Sequence, residues 1–163
     1  MLRRRSQAPS VPGEKVLAWC TAQEPEGAVL AGTREALHLL PEGRRLPWHQ
    51  IQTADWDRDD AVLRVSEVGA WGELRPEHTF VVSEPGRLLE LIRERVTATI
   101  VLQRRVLVGH RRGISVVARR TTTGDRDIAW FYEYDEGVDP DDPAVKRLAA
   151  EALARAREEV GLG

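Results

Sequence analysis

Residues 45–57 read RLPWHQIQTADWD, and their two tryptophans, Trp48 and Trp56, are eight positions apart. On an unbroken strand both indoles would lie on one face, because side chains alternate between the two faces. Gln50 and Gln52 would share that face, and the opposite face is equally mixed in polarity. Because neither face is cleanly apolar, the stretch predicts a bent strand with a bulge that turns one part inward. Such a strand is typical of a small curved sheet or barrel.

Composition indicates a globular chain without a strong electrostatic preference. The chain has 163 residues, of which 42% are hydrophobic, and a formal net charge of -2. It can therefore bury a core, and no overall field attracts nucleic acid or anionic lipid. Lys15 and Lys146 are the only lysines among 24 Lys and Arg residues. The arginine excess fits either phosphate recognition or arginine-rich codon usage, and we favour codon usage.

Cysteine usage and the apolar runs indicate the compartment. Cys20 is the only cysteine, which excludes an intrachain disulfide and a cysteine-based metal cluster. The basic start of the chain has no apolar segment behind it, so it is not a secretory signal. No run approaches the roughly 18 apolar residues of a membrane span. We therefore expect a soluble, cytoplasmic protein, and we expect no cofactor and no metal.

The first two thirds of the chain predict a tail, a β-rich part and a helix. Residues 1–13 are basic and then rich in Ser, Pro and Gly, which is typical of a flexible tail. From Glu14 onward, short apolar runs recur at roughly ten-residue spacing and predict an antiparallel sandwich or barrel. An apolar stripe with helical spacing over residues 88–96 predicts a helix that ends near Thr97.

The last third predicts a meander and a second helix, so the fold class is α+β. The run 137–143 supplies an Asp N-cap and a proline at the first helical position. Apolar residues then recur at helical spacing as far as Val160, and Gly161 ends the helix. The strands of the meander are predicted within residues 98–108, 114–120 and 127–134.

Five short segments of the first part of the chain carry a resemblance: GEKVL at 13–17, AGT at 31–33, ALHL at 36–39, LPWHQI at 46–51 and LLELI at 88–92. Through them, the segment from residue 14 to about residue 97 resembles a bacterial pleckstrin-homology-like (PH-like) domain. The resemblance implies an antiparallel β-barrel capped by its closing helix, and a non-enzymatic scaffold for lipid, peptide or protein contacts.

Three further segments are RERVTA at 93–98, VARR at 117–120 and GVDPDDP at 137–143. Through them, the whole chain resembles a family of uncharacterised actinobacterial proteins, for which no activity is implied. We therefore expect a tail at 1–13, a PH-like barrel at 14–97, and a meander with its helix at 98–163. We expect the last part to pack with the barrel as one unit.

Three arginine doublets within one predicted hairpin are the candidate binding residues. Across an antiparallel hairpin that turns at 109–113, the outer doublets are expected to approach each other. Such a patch could contact phosphate, an acidic peptide or RNA. The acidic loop 135–142 could instead pair with the arginines, and we favour this self-paired or solvated interpretation. The doublets are Arg104, Arg105, Arg111, Arg112, Arg119 and Arg120.

Other candidate sites have weaker patterns. The acidic run 55–60 lacks the glycine and the final glutamate of a calcium-binding EF-hand loop, so it is interpreted as a hairpin turn. The four histidines have no metal-ligand spacing, and no nucleophile pattern such as G-x-S-x-G is present. The alternating Trp130, Tyr132 and Tyr134 could stack on RNA bases, but we favour packing beneath the second helix.

These observations predict a non-catalytic binding or interaction module rather than an enzyme. A protein partner is favoured, and an anionic lipid headgroup is the other ligand implied by the PH-like resemblance. The alternative function is an RNA-binding accessory protein that uses the arginine hairpin 104–120. A homo-oligomer formed through exposed edge strands is also compatible with this architecture.

Overall fold

The structure is a computed structural model that describes residues 8–68, 76–122 and 127–161. The chain divides into two compact units. Unit 1 holds the described residues of Met1–Glu67 and Glu77–Thr97, and unit 2 holds those of Val68–Pro76 and Ala98–Gly163. The predicted packing of the two parts against each other stays a prediction.

Unit 1 consists of two antiparallel sheets and most of a helix. The sheets contain four and three strands, and within each sheet consecutive strands are neighbours. The elements are β1 (Ala18–Thr21), β2 (Val29–Gly32), β3 (Ala36–Leu40), β4 (Arg44–Pro47), β5 (Ile51–Asp57), β6 (Val62–Glu67), β7 (Glu77–Val81) and α1 (Arg87–Thr99).

The stretch at 45–57 forms the junction between the two sheets. Its first residues end β4, Trp48–Gln50 form a single 3-10 turn, and β5 begins the second sheet at Ile51. The pairing of β5 with β6 shifts register between Ile51 and Thr53. The predicted bend and bulge are confirmed, but the stretch is not one strand, because the 3-10 turn interrupts it after Pro47.

The core of unit 1 forms around Trp48, whose side chain is fully buried. Leu88 and Ile92 of the predicted helical stripe are buried in the same cluster. Gly32 lies so close to α1 that a Cβ atom there would be 2.6 Å from Cδ2 of Leu91. Burial of the apolar face of α1 explains why this helix forms where its sequence pattern predicts.

The α+β class is confirmed, whereas a closed barrel is not found in the described part of the chain. The strands there form three separate antiparallel sheets. One isolated bridge, between Glu24 and Val81, links the segment after β1 to the end of β7. Two sheets with a single bridge between them are an open arrangement rather than a continuous ladder.

Unit 2 is the predicted meander followed by a helix. Its strands are β8 (Ile100–Leu107), β9 (Gly113–Arg120) and β10 (Ile128–Tyr134), with β9 in the centre. The helix α2 (Pro143–Val160) has an Asp142 N-cap, whose side chain accepts a hydrogen bond from the Ala144 amide.

The helix α2 packs its small apolar residues on the sheet. Val145 and Ala149 are buried with Ile114, and Ala152 and Ala156 are buried with Val116. The half-buried Trp130, Tyr132 and Tyr134 contact these clusters, so the predicted packing of the aromatic stripe beneath the helix is confirmed.

The predicted tail is described only in part. Residues 1–7 lie outside the described residues, whereas Val11 is buried and forms an isolated bridge with Glu14. None of the helices in the described residues is long and apolar enough to cross a membrane.

Candidate functional site

The arginine hairpin has a different register from the one expected. Arg104 lies opposite Val116, and Arg119 lies opposite Ile100. The outer doublets are therefore offset by about four residues, or roughly 13 Å along the strands. The expectation that they approach each other across the hairpin is wrong, because the register of a hairpin is fixed by where its loop closes.

Two of the hairpin arginines are engaged by carboxylates within unit 2. Arg105 donates two hydrogen bonds to the Asp135 carboxylate, which also accepts one from the Gly113 amide at 2.9 Å. The hydrogen bonds from Arg105 have the largest effect on the pKa of Asp135, which they lower, and the bond from the Gly113 amide lowers it further. Nη2 of Arg104 lies 2.6 Å from a carboxylate oxygen of Glu159 in α2. Both contacts favour the self-paired interpretation for this doublet.

Arg119 is a buried residue rather than a surface ligand. Its side chain is 2% exposed, and Nη1 donates to the Thr99 hydroxyl at 3.1 Å. A carboxylate oxygen of Glu133 lies 3.8 Å from Nη2. Burial lowers the pKa of Arg119, and the Glu133 charge opposes that shift. An external phosphate or RNA backbone cannot reach a guanidinium that is buried in this way.

The remaining hairpin arginines are exposed at its two ends. Arg112 donates a hydrogen bond to the Gly137 carbonyl at 3.4 Å, and Arg120 ends β9. Arg111 lies in the exposed turn, where its backbone carbonyl accepts from Arg105. The six predicted residues therefore do not form one continuous surface patch.

The side-chain geometry of the described residues likewise gives weak support for a metal site or a catalytic nucleophile. No group of three or more His, Cys, Asp and Glu side chains is positioned to hold a metal ion in residues 8–68, 76–122 and 127–161. Asp57 caps its own hairpin turn by accepting from the amides of Asp59 and Asp60. Cys20 is buried, and burial raises the pKa of its thiol to about 11.

A recess in unit 1 is the better candidate site. Its volume is about 380 Å³, at the lower end of the range for small-molecule pockets. The segment before β1, the β2–β3 turn and the last turns of α1 supply its walls. The lining residues are Gly13, Glu14, Lys15, Leu17, Thr33, Arg34, Glu35 and Arg95.

Glu14 fastens the segment before β1 to the first sheet. Its carboxylate accepts from the Thr33 hydroxyl at 2.8 Å and from Nε of Arg45 at 3.2 Å. Nε2 of the buried His38 lies 2.9 Å from the same carboxylate, although no hydrogen bond forms between them. Burial raises the pKa of Glu14, but the hydrogen bonds from Arg45 and Thr33 outweigh burial, so the pKa is lowered.

Arg45 also engages the second carboxylate of the recess. Its Nη2 donates to Glu35 at 3.1 Å, while Nε holds Glu14. Arg45 lies opposite His38 in the pairing of β4 with β3, which brings it to this end of the sheet. Arg45, which does not itself line the recess, thus faces the negative charges of both Glu14 and Glu35.

Three cations of the recess have no such compensation. Within the described residues, no carboxylate pairs with Lys15, Arg34 or Arg95. Among the described residues, Nε of Arg95 has no hydrogen-bond acceptor, and the atom itself is buried. Arg95 lines the recess together with Lys15 and Arg34, so three cations border the same space.

No pattern in the amino-acid sequence identifies this recess. Its cations come from positions 15, 34 and 95, and no local motif joins them. The one available signal was the position of Arg95 outside the apolar stripe of α1. Comparison of the chain with protein-family models, with curated proteins and with solved structures returns no match.

Proposed function

We propose that this protein is a non-catalytic binding module and that the recess of unit 1 receives its partner. The observation that carries the proposal is the charged, open recess beside Leu17, which is 44% exposed. Charged side chains around an exposed apolar residue favour a protein segment as the partner, because such a segment supplies both kinds of contact. A lipid headgroup is the second class of ligand.

The arrangement of unit 1 supports a PH-like origin for the module. Seven strands in two antiparallel sheets are followed by one helix, in the order that the resemblance implies. The bridge between Glu24 and Val81 brings the two sheets together at one point. A closed barrel would require a continuous ladder there, so the PH-like assignment remains part of the proposal.

Binding suits the polar groups of the recess better than catalysis does. The Thr33 hydroxyl donates to Glu14 and accepts from the Ala36 amide at 3.1 Å, which fixes its orientation. Glu14 is held in its ionised form by Arg45 and Thr33. General acid–base and nucleophilic catalysis both need a group that can exchange a proton with the substrate. These groups hold the backbone in place instead.

The test is an affinity pull-down from native lysate with the full chain, with and without nuclease. The variant Arg34→Glu reverses an exposed charge at the recess, and Arg58→Glu reverses one in the β5–β6 turn as the matched control. We expect partners that survive nuclease, that are retained by Arg58→Glu and that are lost with Arg34→Glu. Equal recovery with all three proteins would contradict a partner site at the recess.

RNA binding through the arginine hairpin is the second candidate function. The specific observation in its favour is the exposed turn that carries Arg111, whose side chain has no acidic partner in the described residues. Filter binding of RNA with wild type and Arg111→Ala tests it, at two salt concentrations. Phosphate contacts predict weaker binding at high salt and a further loss in the variant. RNA binding that is unaffected by either change would rule out this use of the hairpin.

A further inference from the structure

The charges of the recess indicate which chemical group it binds. We infer that the recess binds a doubly charged phosphomonoester, received by Arg95 together with Lys15 and Arg34; this inference rests on the proposed binding function. The group would belong either to a free phosphorylated molecule or to a phospholipid headgroup. Both sources present the same terminal phosphate to the protein.

The charge balance favours a dianion over a monoanion. Lys15, Arg34 and Arg95 are positive, and Arg45 adds a fourth cation that faces the carboxylates of Glu14 and Glu35. Among the described residues, four cations against two carboxylates leave an excess of two positive charges. A phosphomonoester carries about −1.5 to −2 at neutral pH and would bring the recess close to neutrality. A carboxylate would neutralise only half of the excess.

Arg95 is suited to be the central donor. Arg95 lines the recess and lies on α1, whose apolar face is fixed in the core by Ile92 and Val96. A guanidinium donates in a planar fork that matches two oxygens of one phosphate. Lys15 and Arg34 are exposed and border the same recess, so they are available to the remaining oxygen of the phosphate.

The size and lining of the recess limit the substituent that the phosphate can carry. A volume of about 380 Å³ lies near the lower end of the range for small-molecule pockets, which favours a small headgroup. Leu17 at the lining is exposed and offers an apolar contact for a carbon chain attached to the phosphate. The site therefore fits a phosphate with a short polar or apolar substituent, such as a glycerol phosphate.

The first experiment is calorimetric titration of the full chain with glycerol 3-phosphate, inorganic phosphate and acetate. We expect both phosphates to bind, and acetate to bind at least about tenfold more weakly, because it forms fewer charge-assisted hydrogen bonds. Arg95→Gln should weaken phosphate binding by about tenfold or more. Arg93→Gln, on an exposed face of the same helix, should leave it unchanged.

Circular dichroism identifies any variant that fails to fold. If Arg95→Gln does not fold, the double variant Lys15→Gln, Arg34→Gln takes its place, because the Lys15 and Arg34 side chains are exposed. Equal phosphate binding by wild type and by the folded recess variant would overturn the inference. So would binding of acetate as tight as that of phosphate.

Vesicle pelleting separates the two sources of the phosphate. Vesicles of phosphatidylcholine with phosphatidic acid are compared with phosphatidylcholine alone. Arg95-dependent pelleting without binding of glycerol 3-phosphate supports a lipid source, and binding of glycerol 3-phosphate without pelleting supports a free ligand. Binding of both supports the phosphate chemistry that the two sources share. Binding of neither overturns the inference. If a lysate partner still depends on Arg34 in that case, the proposed function stands and only the phosphate assignment fails.

Discussion

Nε1 of Trp48 lies 3.0 Å from the carbonyl oxygen of Thr33 and donates a hydrogen bond to it. Trp48 is fully buried in the unit 1 core, and Thr33 lines the recess. This one bond therefore joins the core directly to the wall of the candidate site. Because both residues are fully or nearly fully buried, neither group has water as an alternative partner.

Replacing Trp48 by Phe should destabilise unit 1 by roughly 2–4 kcal/mol, since it leaves the buried Thr33 carbonyl unpaired and creates a cavity. Urea unfolding followed by circular dichroism measures the change. Trp130→Phe is the control in unit 2, where the indole is half-buried. An equal effect of both substitutions would contradict a special role for the bond to Thr33.

Gly32→Ala should destabilise the protein by about 1–3 kcal/mol, because the new Cβ would meet Cδ2 of Leu91 at 2.6 Å and Cδ1 of Leu88 at 3.0 Å. The cost should fall in a Leu91→Ala background, where the nearest atom is absent. A double-mutant cycle by urea unfolding measures this coupling. Strict additivity of the two substitutions would show that the close approach is not the cause.

Ala61→Gly should stabilise the protein by up to about 1 kcal/mol. Ala61 has φ of 57°, in the left-handed region that only glycine adopts without strain. The control is Ala98→Gly on the exposed side of α1, which should cost about 1 kcal/mol through lower helix propensity. Thermal unfolding of both variants measures whether each substitution raises or lowers the stability of the protein. A loss of stability with Ala61→Gly would disprove the strain.

Protonation of the Glu14 carboxylate should lower the stability of the protein in acid. A carboxyl whose pKa is lowered on folding stabilises the protein above its ordinary value of 4.5, and this contribution is lost as the pH falls through the lower value in the folded state. We expect Glu14→Gln to be less stable than wild type at pH 7 and to lose less stability between pH 5 and pH 3. Glu42→Gln, at an exposed turn, should follow the wild-type profile. Urea unfolding over this pH range makes the comparison.

The thiol of Cys20 should be unreactive in the folded protein. It is 5% exposed, and its pKa of about 11 leaves little thiolate at pH 8. Ellman's reagent at pH 8 should therefore label it only after denaturant is added. Rapid labelling of the native protein would show that β1 opens readily.

The elements that were predictable are those defined by local signals. Asp142 at the N-cap, Pro143 after it and Gly161 at the end gave α2 its full length, because caps act within one turn. The bulge near Ile51 was also predictable from local polarity. The open arrangement of the sheets was not, because sheet closure depends on pairing between distant strands.

The site was less predictable than the fold. Adjacent arginines in the sequence suggested a patch, but the hairpin register separated Arg104 from Arg119, and burial removed Arg119 from the surface. The recess had the opposite problem, since Lys15, Arg34 and Arg95 meet only after folding. Charge clusters in a sequence are visible without a structure, whereas charge clusters in space need the topology.

The fastening of residues 13–15 by Glu14 has a consequence for how specificity can change. Gly13 and Lys15 belong to one wall of the recess and precede β1, whereas Glu14 between them bonds to Thr33 and to Arg45 of the first sheet. A substitution of Lys15 with Glu14 retained would alter what the protein recognises while the core around Trp48 is untouched. Ligand preference could therefore change at this one exposed position at little cost in the free energy of unfolding.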